Sequence, residues 1–428
     1  MTTRRQFLKS GLAATVTTAA LSPLVVAAAE TNAPNAATGA AAAGSGTLVM
    51  VGFGGKRHSS QQGQANSVIT TVDLASGHYR QGWLAMPSAH SVLQLATDAY
   101  LCLPLDGRLA LVVDQEFREI ARLACPTGYL FSGHGVVVTS QHRALLSLRR
   151  QDARSFADHG CLAVVALPDG PRRAWNRSQS DVPIASMFDS GGVRPHDLAL
   201  LADGRTVAVS HYGDINYEVA GKTSVNQREP CLVLIDSKDG RLIQRLAAPA
   251  TGSLTHIAVS RSGRVCGVPL NYYGFDDKGR HAVESQLGTG FEISVAEELE
   301  SRIAAPMPLY LFDLARGATE SLSGEPSKQR RAQSVAYHPA ADQFFVAYTF
   351  SDSLACVSHS QTKNQVRYIS AFELGLSYIR GVCAIGQSDF LAVSGEFRGI
   401  TLINAKTLAV VRRIDVPLYD SPHLTYLG

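Results

Sequence analysis

The chain has 428 residues, 45% hydrophobic and 18% charged, with 37 glycines and 18 prolines. That balance excludes a disordered, collagenous or coiled-coil chain and leaves either one large architecture or two to three domains. The formal charge is +3, but Arg4, Arg5 and Lys9 account for it; the rest carries 36 basic and 36 acidic side chains, so no basic nucleic-acid footprint is expected.

From the N terminus, residues 1–29 read as an export signal. Thr3-Arg4-Arg5-Gln6-Phe7-Leu8-Lys9 is followed by the weakly apolar run Gly11–Val26 and then by Ala27-Ala28-Ala29. The order charged, apolar, small is that of a cleavable signal peptide, and the run is short for a membrane span and contains Pro23. The paired arginines resemble the twin-arginine (Tat) signal, which implies export by the Tat translocase of an already folded protein, cleavage near Ala29 and a periplasmic destination. Residues 30–46 hold almost no bulky apolar group and read as a disordered linker. No later segment is long and apolar enough to cross a bilayer.

Beyond residue 47 sustained helical periodicity is nearly absent, and short β-rich runs alternate with Gly and Asp turns. A run ending in Asp or a similar residue, a tight turn and a return run recur seven times. These units begin at Ile69–Asp73, Leu109–Asp114, Cys161–Leu167, Leu232–Asp236, Leu309–Asp313, Leu354–Val357 and Ile400–Asn404. Each has another apolar run before it, from Leu48–Val51 in the first unit to Phe390–Ser394 in the last. A third run lies upstream in six units: His90–Leu95, His134–Val138, His196–Leu200, His256–Val259, Ser334–Tyr337 and Gly381–Ile385. The first unit lacks one, and the missing copy stands at the far end of the chain as Pro422–Leu427.

Four strands in each of seven units predict an all-β fold: a seven-bladed β-propeller over 47–428, its ring closed by the C-terminal strand completing the first blade. A pair of β-sandwiches, the rival arrangement, does not account for that displaced strand. The turns at Ala202–Arg205 and Arg261–Arg264 then share one face. The long connections Gly52–Ser67, Arg149–Gly160, His211–Pro230 and Asn271–Pro306 share the other, the last with a short helix expected around Ile293–Ile303.

The thirteen histidines follow this division. His90, His134, His196, His256 and His423 start innermost strands, whose starts ring the channel mouth on the long-loop face. Ser334 and Arg380-Gly381 hold the matching place in the other two blades. His58, His159, His211 and His281 fall on the long-loop face, whereas His78, His142, His338 and His359 fall at tight turns. Imidazoles in register around an axis can converge on one ion, and neutral imidazole suits iron, copper, nickel and zinc. The expected ligands are His134, His196 and His256, with His90 and His423 as additions. Arg194, Asn216, Glu229, Asn271, Tyr272, Arg380 and Glu396 are candidates for outer hydrogen bonds or for anchoring an anionic group. Binding through neutral imidazole would weaken as pH falls through about 6.5. A metal-free polar ring and a catalytic histidine without metal are the competing readings of the same residues.

Seven cysteines are present without any C-x-x-C pair, which removes zinc-ribbon and thioredoxin readings; most sit in strand-like runs as small buried hydrophobes, and one disulfide stays open. There is no P-loop, H-E-x-x-H or G-x-S-x-G.

Four stretches carry a resemblance: Gly133-His134-Gly135-Val136; Arg194-Pro195-His196-Asp197-Leu198 through Asp203-Gly204-Arg205-Thr206; Glu229-Pro230-Cys231-Leu232-Val233; and Leu254-Thr255-His256-Ile257-Ala258-Val259. With these the chain resembles a family of Tat-exported bacterial periplasmic propellers classed as a domain of unknown function, over most of 47–405 and most strongly over 130–270. Such proteins tend to accompany imelysin-like and dihaem-peroxidase-like neighbours, which implies a part in iron or copper handling among periplasmic metal-handling partners. The first long loop, with His58, is unusual for the family, and Tyr272 stands where relatives often have Trp. Three functions remain open: a metal-binding propeller, a metal- or His-dependent enzyme of redox or hydrolytic type, and a metal-free docking scaffold.

Overall fold

The computed structural model describes residues 46–53, 67–167, 175, 181–215, 218–219, 222–223, 229–249, 252–270, 307–359, 364–396, 398–419 and 423–427. The expected signal, linker and Ile293–Ile303 helix lie outside them.

Seven antiparallel sheets of four strands form seven blades. In blades two to seven the chain runs outward from the axis. Their innermost strands are Ala89–Ala96, Tyr129–Val138, Pro195–Leu200, Ser253–Val259, Ala332–His338 and Ile379–Ala384. Blade one is built from Thr47–Phe53, Ser67–Asp73 and Tyr79–Leu84, and its innermost strand is Thr425–Leu427. The seam pairs Thr47 with Leu427, Leu48 with Tyr426 and Val49 with Thr425, so the expected closure by the chain's end is observed. Among the described residues helix is confined to one α-turn, Ala371–Leu374, and two 3-10 turns; none is long and apolar enough to cross a membrane.

The core is a ring of seven apolar layers, one between each pair of blades. Alternate side chains of one strand enter opposite layers: Leu48 and Met50 pack toward blade seven, Val49 and Val51 toward blade two. Because both faces of each sheet are covered, the inner strands read as continuous apolar runs rather than as alternating ones.

The Asp or Asn that ends several of these runs also has a physical role. Asp236 accepts from the Lys238 N–H at 3.0 Å, Asp114 from Glu116 at 3.0 Å, Asp313 from Arg316 at 3.1 Å, and Asn404 from Lys406 at 3.0 Å. The side-chain oxygen completes the turn where the backbone alone cannot. All seven cysteines are free thiols. Burial holds Cys102 and Cys266 up at about 12, so they remain protonated and inert.

The innermost strands depart from the expectation in one respect. Six of the seven break their ladder register near the start, over Ala89/Ser91, Phe131/Gly135, Pro195/Leu198, Leu254/Ile257, Ala332/Ser334 and Ile379/Val382. Each β-bulge turns one or more residues out of the ladder. The blade-six residue at this level is therefore Gln333, not Ser334, which stays paired with Ala347.

Candidate metal centre

The seven innermost strands deliver one side chain per blade to the channel mouth, six of them through a bulge. In blade order these are His423, His90, His134, His196, His256, Gln333 and Arg380. His423 precedes its strand; the other six lie in the bulges. Left-handed backbone immediately before the strands of blades two, three, four, six and seven, at Ser88, Gly128, Arg194, Arg331 and Tyr378, turns the chain into this position. The bulged peptides need substitute partners, and hydroxyls supply them. Ser147 Oγ donates to the His196 carbonyl at 2.7 Å, Ser91 Oγ to that of Gly133, and Ser210 Oγ to that of Thr255. Ser394 Oγ accepts from the Gly381 N–H at 3.0 Å. At Gly133, φ is +93°, and an added Cβ would come within 2.5 Å of His90 Cδ2, so glycine is what admits the His90 ring.

The five imidazoles form one cluster. Ring centroids of His134 and His196 are 4.5 Å apart, His256 and His423 4.5 Å, His90 and His423 4.7 Å, and His134 and His423 4.7 Å. Ligand atoms of His90, His134, His256 and His423 all lie within 4.8 Å of one another, and His423 Nε2 is 3.2 Å from His90 Nε2. Two donors each about 2.0–2.1 Å from one ion are roughly 3.4 Å apart at a tetrahedral angle. The four can thus meet one ion after small rotamer adjustments.

His196 belongs to the stack but not to this converging set. Its Nε2 faces the Tyr212 hydroxyl at 3.5 Å, and its ring lies 4.7 Å from that of Tyr212. The expected order of ligands therefore changes: His90 and His423 stand with His134 and His256, and His196 stands beside them.

Asp197 completes the arrangement. One carboxylate oxygen is 3.3 Å from His134 Nδ1 and the other 3.7 Å from His256 Nδ1, so one residue of blade four braces ligands from blades three and five. It is itself fixed by the N–H groups of Leu198 at 2.8 Å and Ile257 at 3.0 Å. A carboxylate on Nδ1 favours the tautomer whose Nε2 carries the lone pair, and His134 Nε2 has no hydrogen-bond partner.

Burial controls the charge of the cluster. It pushes His134 down to about 4, partly opposed by Asp197, and holds His90, His196 and His423 well below the ordinary imidazole range, with neighbouring imidazoles adding to the effect. Burial alone would raise Asp197, but the imidazoles of His134 and His256 outweigh it and keep the carboxyl low. His90, His134, His196 and His423 therefore rest as neutral imidazoles beside one carboxylate.

Of the other expected residues, Arg380 is in the ring, with Nη1 3.5 Å from Gln333 Oε1 and 3.7 Å from Glu396 Oε1. Arg194 lies with its guanidinium 5.1 Å over the Tyr212 ring. Glu229 pairs with Arg245 of the outermost blade-four strand at 3.4 Å, away from the axis. Asn216, Asn271 and Tyr272 fall outside the described residues, as do His58 and His281. His159 pairs with Asp189 at 2.9 Å. His211 is fully buried and pushed down to about 3 by that burial. Sequence reasoning left Asp197, Tyr212 and Gln333 without a role. The adjacency His196-Asp197 at an innermost strand start was the available signal for the first.

A family described as "Protein of unknown function (DUF1513)" matches residues 104–279, a span that holds His134, His196, Asp197 and His256. No curated protein matches the chain. Among solved structures, a protein from Lactobacillus plantarum is similar at 11% identity, covering 90% of this chain and 100% of its own, with a TM-score of 0.53. A "putative 6-phosphogluconolactonase" from Bacteroides uniformis is similar at 8% identity, covering 90% of this chain and 99% of its own, with a TM-score of 0.53. At these identities the likeness is one of fold.

Proposed function

We propose that this protein is a Tat-exported periplasmic propeller that binds a first-row transition ion, iron or copper, on the channel axis and serves in metal handling. One observation carries the reading: ligand atoms of His90, His134, His256 and His423, from four different blades, lie within 4.8 Å of one another. A lone channel histidine is ordinarily a satisfied polar group. Four that converge, with a carboxylate braced behind two of them, match the first and outer layers of a built metal site.

The donor set narrows the cargo. Imidazole nitrogen without thiolate suits copper(II), iron(II), nickel and zinc, and calcium and magnesium prefer oxygen. Intrinsic affinity for such a set peaks at copper(II). The resemblance to propellers found near imelysin-like and dihaem-peroxidase-like proteins favours iron or copper and suggests partners of that kind. Tat export fits an ion inserted before the folded protein leaves the cytoplasm.

The test is elemental analysis of the protein purified from its native compartment, followed by titration of the stripped protein with copper(II) and iron(II). About one ion per chain is expected, and removal of His256 and His423 together abolishes it. A metal-free protein that takes up neither ion overturns the proposal.

A further inference from the structure

The layer between blades three and four holds, at its long-loop end, a pair of donors that the channel does not use. His211 ends the second strand of blade four, Cys231 begins the third, and the two are direct partners across the ladder. Residues so placed carry their side chains on one face, with Cβ atoms about 4.5–5.5 Å apart. Cys231 packs there with Val138, Leu145 and Leu162 of blade three. Both are shut off from solvent, His211 at 0% exposure and Cys231 at 1%. Gly192 is what admits them: an added Cβ would come within 2.7 Å of His211 Cδ2 and 3.1 Å of Cys231 Sγ, so ring and thiol converge on the space beneath one small residue. The cover is fastened by Ser190 Oγ, which donates to the carbonyls of Gly160 at 2.9 Å and Gly192 at 3.0 Å.

Neither Nδ1 nor Nε2 of His211 makes a hydrogen bond; the backbone of Cys231 and Ser190 lies near enough to act on the ring's charge but not in hydrogen-bond geometry. Buried polar side chains are ordinarily satisfied, and an orphan of this kind points to something that completes it. Burial keeps the imidazole neutral, so a lone pair is available. Burial also raises the Cys231 thiol, but the Arg245 guanidinium reaches the sulfur and opposes the rise by favouring a thiolate. Arg245 is itself paired with Glu229 at 3.4 Å.

We propose that His211 and Cys231 form a second metal site, one that takes copper(I) between the imidazole nitrogen and the thiolate. It shares no residue with the channel cluster and stands independently of it. Soft thiolate selects copper(I), which is satisfied by a pair of donors. Zinc asks for a fuller shell, and among the described residues no further ligating group closes around this pair. As the Cu–S bond forms, the thiol gives its proton to solvent; the ion stays copper(I) and no electron moves. The chain thus keeps two kinds of ion apart, a divalent one among imidazoles on the axis and copper(I) beneath Gly192. The second site fills only where copper is offered as copper(I).

The experiment uses the full exported protein, stripped of metal and titrated without oxygen with copper(I) against bicinchoninate, a coloured copper(I) chelator. Copper K-edge X-ray absorption of the loaded protein then reports which atoms surround the ion. Sulfur is expected in the shell of about one copper per chain. Cys231→Ser is expected to lose that sulfur and to bind about one copper fewer. In His211→Gln the sulfur-bound copper is expected to be held roughly tenfold or more weakly. Cys231→Ala replaces either variant if it does not fold. A wild-type spectrum with nitrogen neighbours only, a Cys231 variant that keeps the sulfur signal, or a His211→Gln protein of unchanged affinity overturns the site. A protein whose channel histidines bind no ion leaves these outcomes as they are, so the two sites fail separately.

Discussion

At the residue scale, Asp197 has the most leverage for its size. It lies 3.3 Å from His134 Nδ1 and 3.7 Å from His256 Nδ1 and takes two backbone N–H groups, so its charge sits beside ligands from the blades on either side of its own. Asp197→Asn preserves volume but removes the charge and one acceptor oxygen. Metal affinity should fall roughly 10- to 100-fold, as for other carboxylates that orient a histidine ligand, with the far-ultraviolet circular dichroism unchanged. Two histidines of the cluster should separate as well. His256→Ala removes a converging ligand and should cost more affinity than His196→Ala, whose ring is turned to Tyr212. Competition with a chelator of known affinity measures both; equal losses would return His196 to the ligand set.

At the level of single strands, the bulge is what the sequence could not display. A period of two is legible only while the ladder keeps register, and six of the seven innermost strands lose register where the mouth residue sits. Hence the runs from His90, His196 and His256 gave the right strands, and their histidines do cluster at the channel mouth. The same reasoning placed Ser334 where Gln333 belongs and ranked His196 above His423, whereas His423 stands in the converging set and His196 beside it. Five of the seven third strands were readable because Asp73, Asp114, Asp236, Asp313 and Asn404 close their turns by a local bond that depends on nothing distant. Asp197 was invisible for the opposite reason, because its partners lie 60 residues away in the chain. The closing strand offers an element-scale test. Leu424 fills the layer between blades seven and one with Leu48, Ile400 and Leu402. Leu424→Ala should cost about 2–4 kcal/mol in chemical unfolding of the metal-free protein. It should also weaken metal binding, since His423 is its neighbour. Loss of stability with unchanged affinity would uncouple the seam from the site.

For the whole molecule, the buried imidazoles set the response to acid. The folded values of His90, His196 and His423 lie below the ordinary 6.5, and His134 lies at about 4. Between about pH 4 and 6.5 the unfolded chain therefore binds more protons than the folded one. Stability is fully present above about 6.5 and is lost as pH falls through that window. His134 alone is worth roughly 3 kcal/mol by pH 4, and the loss should appear as a falling melting temperature of the metal-free protein. The same burial changes the expectation for metal release. An exposed imidazole site would empty as pH drops through about 6.5, whereas these imidazoles shed their protons at lower pH. Half-release is therefore expected below pH 6, measured by dialysis and elemental analysis; release centred on 6.5 would mean that the cluster is open to water.

The seam between Val49 and Thr425 has a temporal meaning as well as a geometric one. Six blades can fold as they emerge in order, but the histidine beside the clasp is 333 positions later in the chain than the ring it touches on His90. No ion can find all four donors until that stretch has been made and threaded home. Capture is therefore a late event, and an ion once held ties the clasp shut. Loading would act as a lock on the finished wheel, making an empty molecule the one most easily pried apart at this single joint.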